Sequence, residues 1–272
     1  MSEISLSYFE YTQAMAALGW QIELGADEAI CDVPINRYDS DGGPSLKALK
    51  FGKDSNIAPA KAIPDILPKT QSAPDVSALM ASKAKTLGEL KNAMGVFDLC
   101  ALKEGARNLV FADGIPDAPV MVIGEAPGRD EDIQGKPFVG PAGQLLDKMF
   151  ASIGMSRLGD ENTPLYITNV IPWRPPQNRD PNIEEITMML PFLQKHIELV
   201  APKLLVLMGN TACKAVLGAT GITRMRGNWA EAFGVPVMPM FHPAALLRDP
   251  LKKREAWLDL QDIRKRLQAN DD

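Results

Sequence analysis

The apolar positions of this chain alternate between short runs and longer periodic stretches. Four short apolar runs predict strands, at Val120–Ile123, Leu165–Val170, Leu204–Met208 and Val235–Phe241. Stretches with apolar residues three or four positions apart predict helices at Ala142–Ile153, Ile183–Val200, Asn210–Leu217 and Leu251–Leu267. This alternation predicts an α/β fold, a three-layer αβα sandwich with a central, mainly parallel four-stranded sheet.

Two more helices are predicted before the first strand. Ser77–Val96 has leucines spaced for packing onto a core, and Tyr8–Leu18 is amphipathic. Residues 32–75 are rich in Pro, Asp, Ser and Lys without a clear period, which is typical of a linker. The chain therefore divides into residues 1–75, an amphipathic segment followed by an acidic, Pro-rich linker, and residues 76–272, one folded domain.

Every predicted strand in this domain has a polar or glycine position near or just after its end. Glu125 follows the first strand, Asn169 lies in the second, Gly209 and Asn210 follow the third, and His242 follows the fourth. The carboxyl ends of parallel strands meet at one edge of a sheet, where open α/β folds bind ligands. We therefore expect these residues to form one site.

The segment Gly124–Gly143, GEAPGRDEDIQGKPFVGPAG, is predicted to be a ligand-binding loop at that edge. Its glycines let the backbone turn and approach a ligand closely. Phe138 is a candidate stacking surface. The alternatives are an ordinary Gly/Pro turn with acidic residues at the surface, and a Phe138 that belongs to the core.

The net charge of −5 at first argues against a nucleic-acid partner, but the charge is unevenly distributed. Residues 1–75 hold 11 acidic and 6 basic side chains, whereas the remainder holds 23 of each. A local basic face on a neutral domain can bind phosphates, although a solvated surface of mixed charge is the alternative. The basic residues near the candidate loops are Arg174, Arg179, Arg224, Arg226, Arg248, Lys252, Lys253 and Arg254.

Cysteine content and hydropathy bear on the compartment. Three scattered cysteines argue against a disulfide framework and suit a reducing cytoplasm. No run approaches the ~18 apolar residues of a transmembrane helix. The N-terminal sequence lacks the basic and apolar regions of a signal peptide. We expect a cytoplasmic protein without a membrane partner.

Four segments, in order, resemble the uracil-DNA glycosylase superfamily, most closely its family-4 branch. They are GEAPGRDEDIQGKPFVGPAGQLLD, YITNVIPWRPPQNRDP, LVLMGNTA and FHPAALLR, and the resemblance runs from about Leu99 to Leu267. It implies that residues 76–272 form a glycosylase domain that flips deoxyuridine out of DNA and hydrolyses its N-glycosidic bond, initiating base-excision repair. Uracil-containing DNA is the implied partner, and we expect a monomer.

The resemblance also implies roles for residues around the base. Phe138 would stack on the uracil, and the Asn169 carboxamide would accept from N3–H and donate to O4. His242 would donate a hydrogen bond to O2 as negative charge develops there. Asn178 would line the site. His196, inside a predicted helix, is expected to be structural.

The acids of the first motif are matched less closely. Glu125 would position water or polarise the site, and Glu131 would exclude the C5 methyl group of thymine. Ala126 occupies the position at which the best-known branch of the superfamily has a water-activating Asp. This departure favours stabilisation of an oxocarbenium-like state over catalysis by a strong general base.

Contacts to the DNA strand are implied by the segment after His242. Leu246 or Leu247 would fill the space left by the flipped nucleotide, and Arg248 would contact phosphate. Arg174 and Arg179 are the candidate phosphate contacts of the neighbouring loop. The alternative for residues 243–248 is the start of an amphipathic helix.

The chain departs from the family at its metal centre. Family-4 enzymes typically carry an iron–sulfur cluster on four cysteines, at positions that correspond here to Phe97, Cys100, Trp173 and Met189. One cysteine cannot hold such a cluster. We therefore expect no metal and no cofactor, with packing in the volume of the cluster and Cys100 as a buried thiol.

Two other functions compete with uracil excision. The first is a protein that binds abasic or damaged DNA and turns over poorly, which the loss of the water-activating Asp favours. The second is a nucleotide-binding α/β enzyme that uses the Gly-rich turn on phosphate. The absence of GxxxxGK[ST], and of GxGxxG after the first strand, argues against the second.

Overall fold

A computed structural model describes residues 72–159 and 163–269 of the chain. The predicted helix Tyr8–Leu18 and nearly all of the predicted linker lie outside the described residues. They therefore stay predictions.

Seven strands form the sheet within these residues, and its centre is parallel as predicted. Strands β2, β4, β5 and β7 are mutually parallel, in the order β4–β2–β5–β7, while β1 and β6 pair antiparallel at the two edges. The short β3 pairs with the start of β4. The strands are Asp113–Gly114 (β1), Val120–Gly124 (β2), Met155–Ser156 (β3), Thr163–Asn169 (β4), Leu204–Met208 (β5), Ala230–Ala232 (β6) and Val235–Met240 (β7).

Helices connect the strands and precede them. The α-helices of the described residues are Ala73–Lys83 (α1), Leu87–Val96 (α2), Leu102–Gly105 (α3), Arg129–Gln134 (α4), Pro141–Ala151 (α5), Ile183–Val200 (α6), Gly209–Leu217 (α7), Ile222–Met225 (α8), Pro243–Arg248 (α9) and Lys253–Gln268 (α10). Two 3₁₀ turns lie at Pro176–Asn178 and Pro250–Lys252. None of the helices in the described part of the chain is both long and apolar enough to cross a bilayer.

Helices cover both faces of the sheet, which confirms the three-layer prediction. Alternate strand residues point to opposite faces, so each strand contributes to two cores. One core joins Met121, Ile123, Leu205 and Leu207 to Leu90, Met189 and Phe192 from α2 and α6. The other joins Val120, Val122, Val206 and Met208 to Leu146, Leu246 and Leu260 from α5, α9 and α10.

Two local predictions differ from the structure. The predicted helix Ser77–Val96 is divided, because the Thr86 hydroxyl accepts from the N–H of Glu89 at 3.1 Å and starts a new helix. The predicted loop Gly124–Gly143 contains α4 and the start of α5. Gly128 precedes α4 and Gly135, at φ 70°, ends it, so the glycines there delimit a helix as well as permitting turns.

Candidate active site

A cleft of about 570 Å³ opens at the carboxyl ends of the parallel strands. It brings together residues at or just after the ends of the four central strands, as the sequence predicted. The predicted residues that line it are Glu125, Ala126, Glu131, Phe138, Asn169, Asn178, Arg179, His242 and Arg248. Arg174, Leu246 and Leu247 are not among the lining residues.

Asn169 and Phe138 converge over Gly124. Gly124 and Asn169 are direct partners in the pairing of β2 with β4. A Cβ atom on Gly124 would lie 2.5 Å from Phe138 Cε2 and closer still to Asn169 Oδ1, so only glycine permits this approach. The ladder continues past both strands, where the N–H of Val170 donates to Gly124 O and that of Ile171 to Glu125 O, both at 3.0 Å.

The Asn169 side chain forms no hydrogen bond with another described residue, although the residue is only 6% exposed. Every fully buried side-chain nitrogen and oxygen among the described residues does have a partner. The amide of Asn169 is therefore reached from the cleft, where its donor and acceptor are available to a ligand.

Phe138 has a strained backbone that a half-buried arginine supports. Its φ of 53° is in the left-handed region, which a bulky residue seldom adopts. Arg157 donates to the carbonyls of Phe138 at 2.9 Å and Pro137 at 3.0 Å, and it pairs with Asp113 and Asp147. Arg157 could not be predicted from the sequence, because these contacts join segments that are distant along the chain.

Glu131 holds the same loop from the other side. Its carboxylate accepts from the N–H groups of Gly128 at 3.1 Å, Val139 at 3.0 Å and Gly140 at 2.9 Å. These bonds fix the residues that follow Phe138. Glu131 lines the cleft as predicted, but the structure gives its carboxylate a supporting role that the sequence analysis missed.

The His242 ring forms a hydrogen bond through one nitrogen, and its other nitrogen has no hydrogen-bond partner among the described residues. Nδ1 accepts from the N–H of Ala244 at 3.2 Å, capping α9. Burial lowers the pKa of His242 to about 4, the charge of Arg248 contributes, and Glu131 opposes. The ring is therefore neutral at physiological pH with its proton on Nε2. It packs against Phe138 with ring centroids 5.4 Å apart.

Glu125 is half-buried among polar neighbours that the sequence analysis did not single out. Its carboxylate accepts a hydrogen bond of 2.7 Å from the Thr211 hydroxyl. Burial raises the pKa of Glu125, and the nearby Asp180 raises it further, while the Thr211 bond opposes the shift. Asp180 follows the predicted Asn178 and Arg179 in the chain, so its position in the NRDP segment was the available signal.

The two arginines of the loop after β4 stabilise that loop. Arg174 Nε donates to Asn178 Oδ1 at 2.7 Å. Arg179 pairs with both oxygens of Glu185, at 2.6 and 3.0 Å, and this pairing lowers the pKa of Glu185. Both guanidinium groups therefore have partners in the protein, and a contact with phosphate would have to share them.

The two leucines predicted to contact DNA differ in exposure. Leu246 is fully buried, in the core that also contains Leu146 and Phe150, so it is not available as a wedge in this conformation. Leu247 is 45% exposed. Residues 243–248 form helix α9, and its packing separates two leucines that the sequence could not distinguish.

Comparison with known proteins identifies the family. The family model of the uracil DNA glycosylase superfamily matches residues 111–261. The chain belongs to the uracil-DNA glycosylase superfamily. It is 39% identical over 174 residues to a type-4 uracil-DNA glycosylase of Sulfurisphaera tokodaii, a match that covers 61% of this chain and 77% of the relative.

Two further relatives within this superfamily are a type-4 and a type-5 enzyme. A type-4 uracil-DNA glycosylase of Archaeoglobus fulgidus is 39% identical over 173 residues, which cover 60% of this chain and 84% of that protein. A type-5 uracil-DNA glycosylase of Pyrobaculum aerophilum is 34% identical over 143 residues, 48% of this chain and 63% of that protein.

The residues at the four cluster positions do not fit an iron–sulfur cluster. Phe97, Cys100, Trp173 and Met189 are all buried in the apolar core between the sheet and α6. Phe97 also packs edge-on against Phe192, with centroids 5.4 Å apart. Burial raises the pKa of the Cys100 thiol, which disfavours the thiolate that iron requires. No described group of three or more His, Cys, Asp or Glu residues is placed to hold a metal ion.

His196 is structural, as the sequence predicted. Its Nε2 lies 2.8 Å from the Tyr166 hydroxyl, and its ring stacks on Phe111 with centroids 4.5 Å apart. Burial lowers the pKa of His196 to about 3, so the ring stays neutral. This network lies inside the core and does not line the cleft.

Proposed function

We propose that this protein is a uracil-DNA glycosylase that hydrolyses the N-glycosidic bond of deoxyuridine in DNA. The observation that carries the proposal is the convergence of Phe138, Asn169 and His242 in one cleft. They supply a ring for stacking, an amide without a protein partner and a neutral imidazole. The names of the type-4 relatives agree with this function.

The cleft receives the uracil after the nucleotide leaves the stack, at a cost of a few kcal/mol. Stacking on Phe138 offsets about 1–3 kcal/mol of that cost. Asn169 then accepts from uracil N3–H and donates to O4. Cytosine presents the opposite pattern at these atoms, so the amide discriminates between the two bases.

His242 stabilises the leaving base. As the bond between C1′ and N1 breaks, its electrons pass to the uracil ring and negative charge gathers at O2. The Nε2–H of the neutral imidazole donates to that oxygen. A neutral donor already oriented by the Ala244 N–H requires little reorganisation during the reaction.

Glu125 orients the water that attacks C1′ and receives its proton. The raised pKa of Glu125 makes its carboxylate more basic than an ordinary glutamate, which partly compensates for Ala126. Asn178 also lines the cleft, where it provides a second polar contact to water or sugar.

The test is single-turnover excision from single- and double-stranded oligonucleotides that contain uracil or cytosine. Asn169→Asp keeps the shape of the side chain but sets an acceptor against uracil O4. We expect uracil excision to fall by up to roughly 10⁴-fold, with at most weak cytosine excision. Asn182→Asp, at the helix cap before α6, is the matched control and should behave as wild type. Near-normal uracil excision by Asn169→Asp would show that Asn169 does not read the base.

The loss of the water-activating Asp favours a second function, that of an abasic-site binder with poor turnover. Limiting enzyme separates the two. A glycosylase continues past one equivalent of product, whereas a binder stops near one equivalent and retains the abasic DNA.

A further inference from the structure

Leu251 is the most exposed large apolar residue of the described chain, at 89% exposure. It lies in the 3₁₀ turn Pro250–Lys252, between α9 and α10. Four positions earlier, Leu247 is 45% exposed. Isolated exposed leucines are common on protein surfaces, so the position of this pair relative to the cleft decides what it can do.

Leu251 lies between a residue that lines the cleft and a residue that contacts the cleft lining. Arg248 lines the cleft directly. Lys252 lies with Nζ 5.6 Å from the ring centroid of Phe241, and Phe241 also lines the cleft. Leu251 therefore projects into solvent beside the cleft mouth and away from the core.

The turn that carries Leu251 is held in place. Lys252 pairs with Asp249 at 3.1 Å, and the N–H of Asp249 donates to Ala245 O at 2.9 Å. Arg226 fixes the first turns of α10 by pairing with Asp259. A side chain presented by an ordered segment loses little conformational entropy on binding.

The positive charges around Leu251 favour binding of a polyanion. Arg248, Lys253 and Arg254 are exposed and form no ion pair or hydrogen bond with another described residue. An apolar side chain surrounded by unpaired cations matches duplex DNA, in which the cations contact phosphates and the apolar group enters the base stack.

We propose that Leu251 is a second apolar wedge, which enters the base stack of duplex DNA beside the nucleotide held in the cleft. The first wedge is Leu247, which lies in α9. Two wedges hold the duplex open over a longer stretch than one, and the cost of unstacking is met by burial of both side chains. The proposal rests on the proposed function, because the flipped nucleotide places the duplex at the cleft.

The experiment compares Leu251→Ala, Leu251→Phe and Leu158→Ala in the full-length protein. Leu158 is the matched control, a leucine that is 72% exposed after β3 and near the start of β4, whereas the cleft lies at the carboxyl end of β4. The probes are single- and double-stranded oligonucleotides with a tetrahydrofuran abasic site and a neighbouring 2-aminopurine. Binding and the rise in 2-aminopurine fluorescence are measured.

We expect Leu251→Ala to weaken duplex binding by roughly tenfold and to reduce the fluorescence rise, with single-strand affinity nearly unchanged. Leu251→Phe should keep both signals, and Leu158→Ala should match wild type. Unchanged duplex binding, an equal loss on both kinds of DNA, or an equal loss in Leu158→Ala would overturn the proposal.

These binding readouts need no base excision. If no uracil is released while Leu251→Ala loses duplex affinity, the wedge stands and the glycosylase assignment fails. If uracil is released and Leu251→Ala binds like wild type, the wedge fails and the assignment stands.

Discussion

The two nitrogens of His242 have different tasks. Nδ1 caps α9. Nε2 carries the proton that, in our proposal, forms a hydrogen bond with uracil O2. An alanine at this position would therefore remove a helix cap together with a hydrogen-bond donor. A variant that keeps the cap is needed to separate the two effects.

We predict that His242→Ala lowers single-turnover excision by roughly 10²–10³-fold and leaves affinity for abasic DNA nearly unchanged. His242→Asn supplies a good capping side chain, so its thermal stability should approach that of wild type. Its excision rate should stay low, because the amide cannot both cap the helix and reach O2. Recovery of activity in His242→Asn would mean that capping, and not donation to the base, is the contribution of His242.

We predict that excision depends on pH through Glu125, whose pKa is changed by its neighbours Asp180 and Thr211. In the proposed mechanism its carboxylate accepts the proton from water, so we expect activity to be lost as pH falls through the raised pKa of Glu125. Asp180→Asn removes a neighbouring negative charge, lowers the pKa of Glu125 and should move this loss to lower pH. Thr211→Val removes the hydrogen bond that favours the carboxylate and should move it to higher pH.

The measurement is the single-turnover rate against pH for wild type and both variants. We expect the acid limb of the profile to shift in opposite directions in the two variants. General damage to the cleft would not produce shifts of opposite direction. Displacements in the same direction, or none, would remove Glu125 from the proton transfer. Protonation of His242, whose pKa is about 4, falls at the acid end of the same profile.

At the scale of elements, the loop that presents Phe138 depends on Arg157 and Glu131. We predict that Arg157→Lys lowers excision roughly tenfold and stability by about 2 kcal/mol, because lysine cannot reach both carbonyls and both carboxylates. Lys136→Ala is the control: Lys136 pairs with the same Asp113 at 3.4 Å from an exposed position, and its loss should cost under about 1 kcal/mol. Equal effects in calorimetry and excision assays would argue against the support of Phe138 by Arg157.

The elements that could be predicted are those with a clear apolar pattern in their own sequence. Leu204–Met208 was predicted with its observed bounds because a buried parallel strand is a continuous apolar run. Helix α4 was missed because it has six residues, too few for an apolar period to emerge. The antiparallel edge strands β1 and β6 have two and three residues, and only pairing with β4 and β7 makes them strands.

The residues of the candidate site also divide into those with a local sequence signal and those that depend on tertiary contacts. The positions of Glu125, Asn169 and His242 at the cleft could be predicted because each lies at or just after the end of a strand that is visible in the sequence. Arg157 could not, since it reaches Phe138 through the folded chain. Leu246 is buried and Leu247 is exposed because of how α9 packs. The sequence alone does not show which of two adjacent leucines faces the core.

At the scale of the whole molecule, buried apolar side chains occupy three of the four positions that correspond to the cluster cysteines of family 4, and we propose that this protein holds no cluster. We predict that the protein purified in air is colourless, holds no stoichiometric iron and excises uracil without added iron. Cys100→Ala should leave the absorption spectrum and the excision rate unchanged, apart from a small loss of stability from packing. A visible absorption band with bound iron, lost in Cys100→Ala, would contradict this account.

The hydrogen-bond ladder between β2 and β4 has a consequence for how the site behaves on warming. Its last bonds, from Val170 and Ile171, lie beside the amide that we assign to base reading, so that amide is attached to the centre of the sheet. Regions of this kind open only when the entire domain unfolds. On gradual warming, selectivity for uracil over cytosine should therefore persist up to the melting transition, and the backbone amides of Val170 and Ile171 should exchange their hydrogens among the slowest in the chain.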